Sequence, residues 1–223
     1  ITFAAGGKNK NGTILENVYA KTITIDKADT TVVFTKTVDG VDAKTATLNL
    51  GNATAAYTFK DGANISNTKI IAVADGNGVL NFEGNTTIGS DIGADTKRLV
   101  KVTVSGGEGK VATLGGNVYV NKAADGFDVA AKTTVALGGA DRTISGILKL
   151  ADGAVLDLGQ KKLTLDSNVN LVSSAVLTIK TDGTVDGTGS LYAYGKNVTT
   201  DKTKLTVKDK PDEKQVESMQ QLY

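Results

Sequence analysis

The chain contains no cysteine, no histidine and no tryptophan. Without cysteine there are no disulfides, thiolate nucleophiles, cysteine-ligated zinc sites or iron–sulfur clusters. Without histidine the usual general base at neutral pH and the commonest metal ligand are both missing. A cysteine-free chain cannot be trapped as a disulfide in an oxidising compartment, which accords with export in an unfolded state. Proline occurs once and aromatics make up only 5% of the chain, so large rings are not expected to dominate a core. Neither sign of charge prevails: 25 basic against 24 acidic residues leave a net charge of +1 and no global field toward nucleic acid or an anionic membrane. Only Arg98 and Arg142 are arginines, and lysine lacks the planar fork that reads phosphate or guanine edges bidentately. Nucleic acid is therefore not an expected partner. No apolar run approaches the ~18 residues of a membrane-spanning helix. The start at Ile1, without a basic and apolar leader, reads as the start of a fragment of a longer protein.

What the chain does have is strand and turn chemistry. Thr- and Val-rich stretches recur at 31–38, 45–50, 69–74, 99–104 and 133–137. Between them stand Asn11-Gly12, Asp39-Gly40, Asp61-Gly62, Asp75-Gly76, Asp125-Gly126, Asp152-Gly153 and Asp182-Gly183. Each dipeptide suits a sharp corner, because Asp, Asn and Gly tolerate left-handed backbone.

Two repeats are superimposed. The coarse one divides residues 1–207 into related halves, about 1–93 and 94–207. Gly6-Gly7 and Asn17-Val18-Tyr19 return as Gly106-Gly107 and Asn117-Val118-Tyr119, and Asp75–Leu80 is echoed by Asp186–Leu191. The segment Gly89–Thr96 reads as a loop joining the halves. The fine repeat is a series of alternating apolar pairs: Leu148/Leu150, Leu156/Leu158, Leu163/Leu165, Val169/Leu171, Leu177/Ile179, then Val185 and Leu191/Ala193. Every third pair returns after about 21–22 residues. This places Leu148/Leu150 beneath Val169/Leu171, and Leu156/Leu158 beneath Leu177/Ile179.

The expected fold is all-β, a right-handed parallel β-solenoid of three-sided coils. The alternative is an antiparallel β-sandwich or barrel, which also shows short strands with regular turns. The polar tail 208–223 departs from the pattern. Asp209 suits a helix cap, Pro211 a first turn, and Val216, Met219 and Leu222 or Tyr223 one face of a short capping helix.

The chemistry-bearing residues resolve into structural roles. Asp75-Gly76-Asn77-Gly78 and Asp182-Gly183 lack the Gly-Gly-x-Gly-x-Asp order of calcium-binding repeats. Gly106-Gly107-Glu108-Gly109-Lys110 lacks the Ser/Thr and the helix of a phosphate loop. A glycan-cleaving solenoid needs converging carboxylates; the best pairs are Glu83 with Asp91 and Asp157 with Asp166. Tyr19, Tyr119, Tyr192 and Tyr194 suit either a partner-binding patch or cross-strand packing. From the residues, no catalytic residue, cofactor or metal is assigned.

The cadence Gly78-Val79-Leu80-Asn81-Phe82-Glu83-Gly84-Asn85-Thr86-Thr87-Ile88-Gly89, followed by Ile92-Gly93, Leu99–Val102 and Gly115-Gly116-Asn117-Val118-Tyr119, resembles the passengers of rickettsial surface cell antigens of the outer membrane protein B type. The similarity covers much of residues 1–200 and rests on structural motifs; the tail after Leu205 does not take part. The resemblance implies a non-enzymatic autotransporter passenger at the bacterial surface, attached to the outer membrane only through a C-terminal β-barrel outside this sequence. It implies adhesion to a host-cell receptor, with self-association as a surface-layer or stalk module the alternative role.

Overall fold

The computed structural model describes residues 1–3 and 11–167, then 169–171, 177–180, 183–186, 191–192, 198–201 and 204–205. Gly6-Gly7, Tyr194 and the 208–223 tail lie outside these residues. Among the described residues the only helical element is one 3-10 turn, Val41–Ala43.

The chain winds through three faces in rotation. The first face holds nine strands: Asn11–Ile14, Thr31–Phe34, Ala56–Phe59, Val79–Glu83, Lys101–Ser105, Gly126–Val129, Leu148–Leu150, Val169–Leu171 and Leu191–Tyr192. The second holds a seven-stranded sheet from Asn64–Ile65 to Val198–Asp201, preceded by the pair Val18–Tyr19 and Val38–Asp39. The third holds four strands from Thr2–Phe3 to Thr68–Ala72 and five from Val118–Tyr119 to Lys204–Leu205. Ile92 bridges Ile70 on one side and Val118 on the other, so the third face is continuous.

All strand pairs are parallel and each joins one lap to the next. The chain is thus a parallel β-solenoid, and the antiparallel sandwich is excluded. At about 4.8 Å per rung, nine first-face strands make a rod roughly 40 Å long. Register partners on that face (Thr31, Ala56, Val79, Lys101, Gly126 and, from Phe127, Leu148, Val169 and Leu191) fall 20 to 25 residues apart, settling at 21 to 22 from Phe127 onward.

Leu148 and Leu150 pair with Val169 and Leu171 as the spacing requires. Leu156 does not lie under Leu177: its partner is Ile179, two residues further along. A two-residue shift is tolerated because side chains alternate with period two, so every aliphatic still faces inward. The expected joining loop is also narrower than 89–96. Ile92 belongs to the wall, and the excursion is a tight turn closed by reciprocal backbone hydrogen bonds of 3.0 Å between Ala94 and Lys97. Nor do the two Asn-Val-Tyr phrases occupy equivalent places. Val18–Tyr19 pairs with Val38–Asp39, whereas Val118–Tyr119 pairs with Ile144–Ser145 on the third face.

The interior is a column of inward side chains. Ile23, Leu48, Leu80, Val102, Val104, Ile144, Leu148 and Leu163 are fully buried. The scarce rings are concentrated in it. Phe34, Phe59 and Phe82 lie in register on successive laps. Their rings stack with centroids 5.6 and 5.3 Å apart, the offset geometry that aromatic quadrupoles favour. Tyr57, one position pair away, is fully buried, and burial pushes its phenol far above the ordinary range. Its hydroxyl crosses the lumen to the third face, 3.0 Å from Ile23 O and 2.9 Å from Asn49 O. The ring column therefore ties two faces together as well as successive laps.

Truncating Phe59 removes the middle ring of this stack. Phe59→Ala is expected to destabilise the protein by about 3–5 kcal/mol, read as a lower urea midpoint. An unchanged midpoint would show that the column does not carry the fold.

Candidate functional site

Corners interrupt the strand ladder and leave backbone N–H groups without a carbonyl on the next lap. Aspartate and asparagine side chains fill that gap. Asp61 Oδ1 accepts from Asn85 N at 2.7 Å, and Asn85 Oδ1 accepts in turn from Val111 N at 2.9 Å. At a second corner Asp91 Oδ1 accepts from Asn117 N at 2.7 Å, and Asn117 Oδ1 from Thr143 N at 2.8 Å. Asp75 and Asp141 do the same for Arg98 N and Lys162 N, both at 2.9 Å. Each side chain thus replaces one ladder bond between laps.

These bonds decide the fate of the expected carboxylate pairs. Glu83 ends a first-face strand and is ion-paired with Lys60, whereas Asp91 stands at the third-face corner; the two are not brought together. Asp157 lies on the second face, and Asp166 follows the third-face strand Lys162–Leu165. Asp166 Oδ2 accepts from Ser145 Oγ at 2.5 Å and Oδ1 from Gly146 N at 2.9 Å, with Lys122 Nζ at 3.5 Å. Among the described residues no group of three acidic side chains converges as metal ligands would.

The glycine-rich segment at 106–110 is a corner. Gly106, Gly107 and Gly109 all take positive φ, and Gly107 N donates to Thr133 Oγ1 at 3.1 Å. Lys110 Nζ reaches Asp61 Oδ2 at 2.8 Å; that bond and the one from Asn85 hold the Asp61 carboxyl below its usual range. The expected corners differ in backbone, and Asn11-Gly12 is not one. Asn11-Gly12 lies within the strand Asn11–Ile14, whereas Asp39-Gly40 does turn the corner into Val41–Ala43, with Gly40 at an ordinary φ of −76°.

Tyr19 is 62% exposed, and Tyr119 is half-buried with the Arg98 guanidinium 5.9 Å from its ring centre, within cation–π range. For Tyr192 the structure describes the strand alone.

The two arginines serve different ends. Arg98 is buried, and its Nη1 donates to Val120 O at 3.1 Å and Ser145 O at 3.0 Å while Nη2 pairs with Asp95. Its fork is consumed in tying three laps together. A hollow of about 290 Å³ lies beside it, between Asp75, Leu99 and Lys122.

Arg142 lines a second hollow of about 440 Å³ on the third face. Ile70, Gly93, Gly115 and Gly116 contribute to its lining, where the third face narrows to the single bridge at Ile92. A Cβ on Gly115 would overlap Ile88 O, and one on Gly116 the Asp91 backbone nitrogen. Close approach of laps therefore demands glycine here. Lys69, Asp91, Ser90 and Ile71 complete its rim. No family model, curated protein or solved structure matches the chain.

The Asp166 cluster gives a pH dependence with a definite sign. Partial burial opposes its charge, but hydrogen bonds from Ser145, Gly146 and Ser167 and the charge of Lys122 outweigh it, so its pKa is lowered. A lowered carboxylate pKa stabilises the fold above the unfolded value near ~4 and ceases to do so as pH falls through the folded value. Asp166→Asn is expected to lower the urea midpoint at pH 7, with the gap to the parent closing as the pH drops below about 4. A gap that persists unchanged at pH 3 would contradict this.

Proposed function

We propose that this chain is a non-enzymatic segment of a bacterial surface autotransporter passenger, displayed outside the cell and adhering to host cells through the lateral faces of the rod. The observation that carries the reading is the lap-on-lap parallel stacking of three faces, unbroken over nine strands on the first. Each added lap extends the outward surface while being stabilised mainly by its neighbours, so a chain of this kind gains contact area without a new core. The phrase on which the resemblance rests is spent on that architecture: Leu80, Phe82, Ile88, Ile92 and Val118 all point into the core. Along the outside run cross-lap polar pairs, including Asn81 Nδ2 to Thr58 Oγ1 at 3.2 Å and Lys101 with Asp128 at 3.5 Å. Such a surface is polar, regular and suited to a broad, low-energy contact.

In this reading membrane attachment belongs to a β-barrel elsewhere in the parent protein, and the partner is a receptor on the host-cell surface. Beads coated with the chain should bind cultured host cells saturably, and soluble chain should compete. Absence of saturable binding, together with sheets or fibres by light scattering and electron microscopy, would instead make it a surface-layer or stalk module.

A further inference from the structure

The hollow around Gly116 has features that corner packing does not explain. Lys69 precedes the bridged residue Ile70, and Arg142 opens the strand that pairs with Val118–Tyr119. The two residues therefore flank the hollow three rungs apart, their backbones about 14 Å from each other at ~4.8 Å per rung. Neither makes an ion pair among the described residues, in contrast to Lys36, Lys60, Lys101, Lys110, Lys122 and Arg98. Arg142 Nε is anchored by Leu137 O at 3.0 Å, which orients the guanidinium and leaves its Nη groups without a carboxylate. Between the cations, Asp91 uses Oδ1 for the lap bond to Asn117, and Oδ2 takes no hydrogen bond from the described residues. Ile71, 36% exposed, adds an apolar shelf.

We propose that this hollow binds a carboxylated sugar of a host-surface glycan. An oriented guanidinium presents paired N–H donors that match a carboxylate. Asp91 Oδ2 accepts a sugar hydroxyl, and Ile71 packs against the C–H face of a pyranose ring. The volume falls in the range of small-molecule sites. A long neutral polymer would leave both charges unused. This inference rests on the adhesion reading and names the chemistry of the receptor.

The test is calorimetric titration of the chain with sialyllactose and a hyaluronan tetrasaccharide as carboxylated probes, a heparin tetrasaccharide as the sulfated probe, and a neutral tetrasaccharide. Carboxylated probes should bind more tightly than the neutral one. Lys69→Gln and Arg142→Gln should each weaken binding about tenfold, with the circular dichroism spectrum unchanged. A second Arg142 variant, Arg142→Lys, keeps charge but loses the fork and should also weaken binding. Equal affinity for neutral and acidic probes, preference for the sulfated probe, or full binding by a folded Lys69→Gln/Arg142→Gln double variant would each overturn the proposal. Bead adhesion separates the two readings. If parent and double variant adhere equally, the hollow is not the receptor site and adhesion stands; if carboxylated probes bind but no beads adhere, the hollow stands and the adhesion reading falls.

Discussion

The structure depends on one constraint: each inward side chain must meet another of the same kind one lap later. Parallel pairing enforces it, since Val79 to Glu83 align residue for residue with Lys101 to Ser105, and these with the strand that starts at Gly126. A slip of one residue would turn Leu80 and Phe82 outward and polar Asn81 inward, exchanging the two surfaces of the wall. A slip of two costs far less, as the pairing of Leu156 with Ile179 illustrates. Lap length is accordingly free to vary, provided that corners absorb the difference.

Corners are where the backbone alone cannot keep register, and there the side chains of Asp61, Asn85, Asp91 and Asn117 take over. They accept N–H groups from the following lap, so the polar residues at the corners act as an extension of the sheets. Glycine enters where laps come too close for a Cβ, as at Gly115 and Gly116, which also line the hollow between Lys69 and Arg142. In the feature proposed for recognition, Lys69 and Arg142 supply the chemistry at the edges.

Much of this was legible in the sequence. The aliphatic pairs from Leu148 onward have a short, nearly constant period, their first-face register partners falling 21 to 22 residues apart. Upstream, longer corners such as the one containing the 3-10 turn Val41–Ala43 stretch the lap and hide the period. The aromatic stack was obscured by composition, which averages 5% over the chain and conceals that Phe34, Phe59 and Phe82 share one column. Asp and Asn were read as turn formers; their bonds to the next lap need knowledge of which residues lie above, although the spacing of Asp91, Asn117 and Thr143 carries that signal. The hollow had no such signal. Its charged residues, Lys69 and Arg142, are three laps apart in sequence.

The absence of native cysteine allows spin labels to be placed at will. Val33→Cys, paired in turn with Thr103→Cys, Asp128→Cys and Lys149→Cys, marks outward positions three, four and five rungs away on the first face. Pulsed electron paramagnetic resonance should give distances that rise in steps of about 4.8 Å, near 14, 19 and 24 Å. Distances without that stepwise increase would contradict the parallel solenoid and everything built upon it.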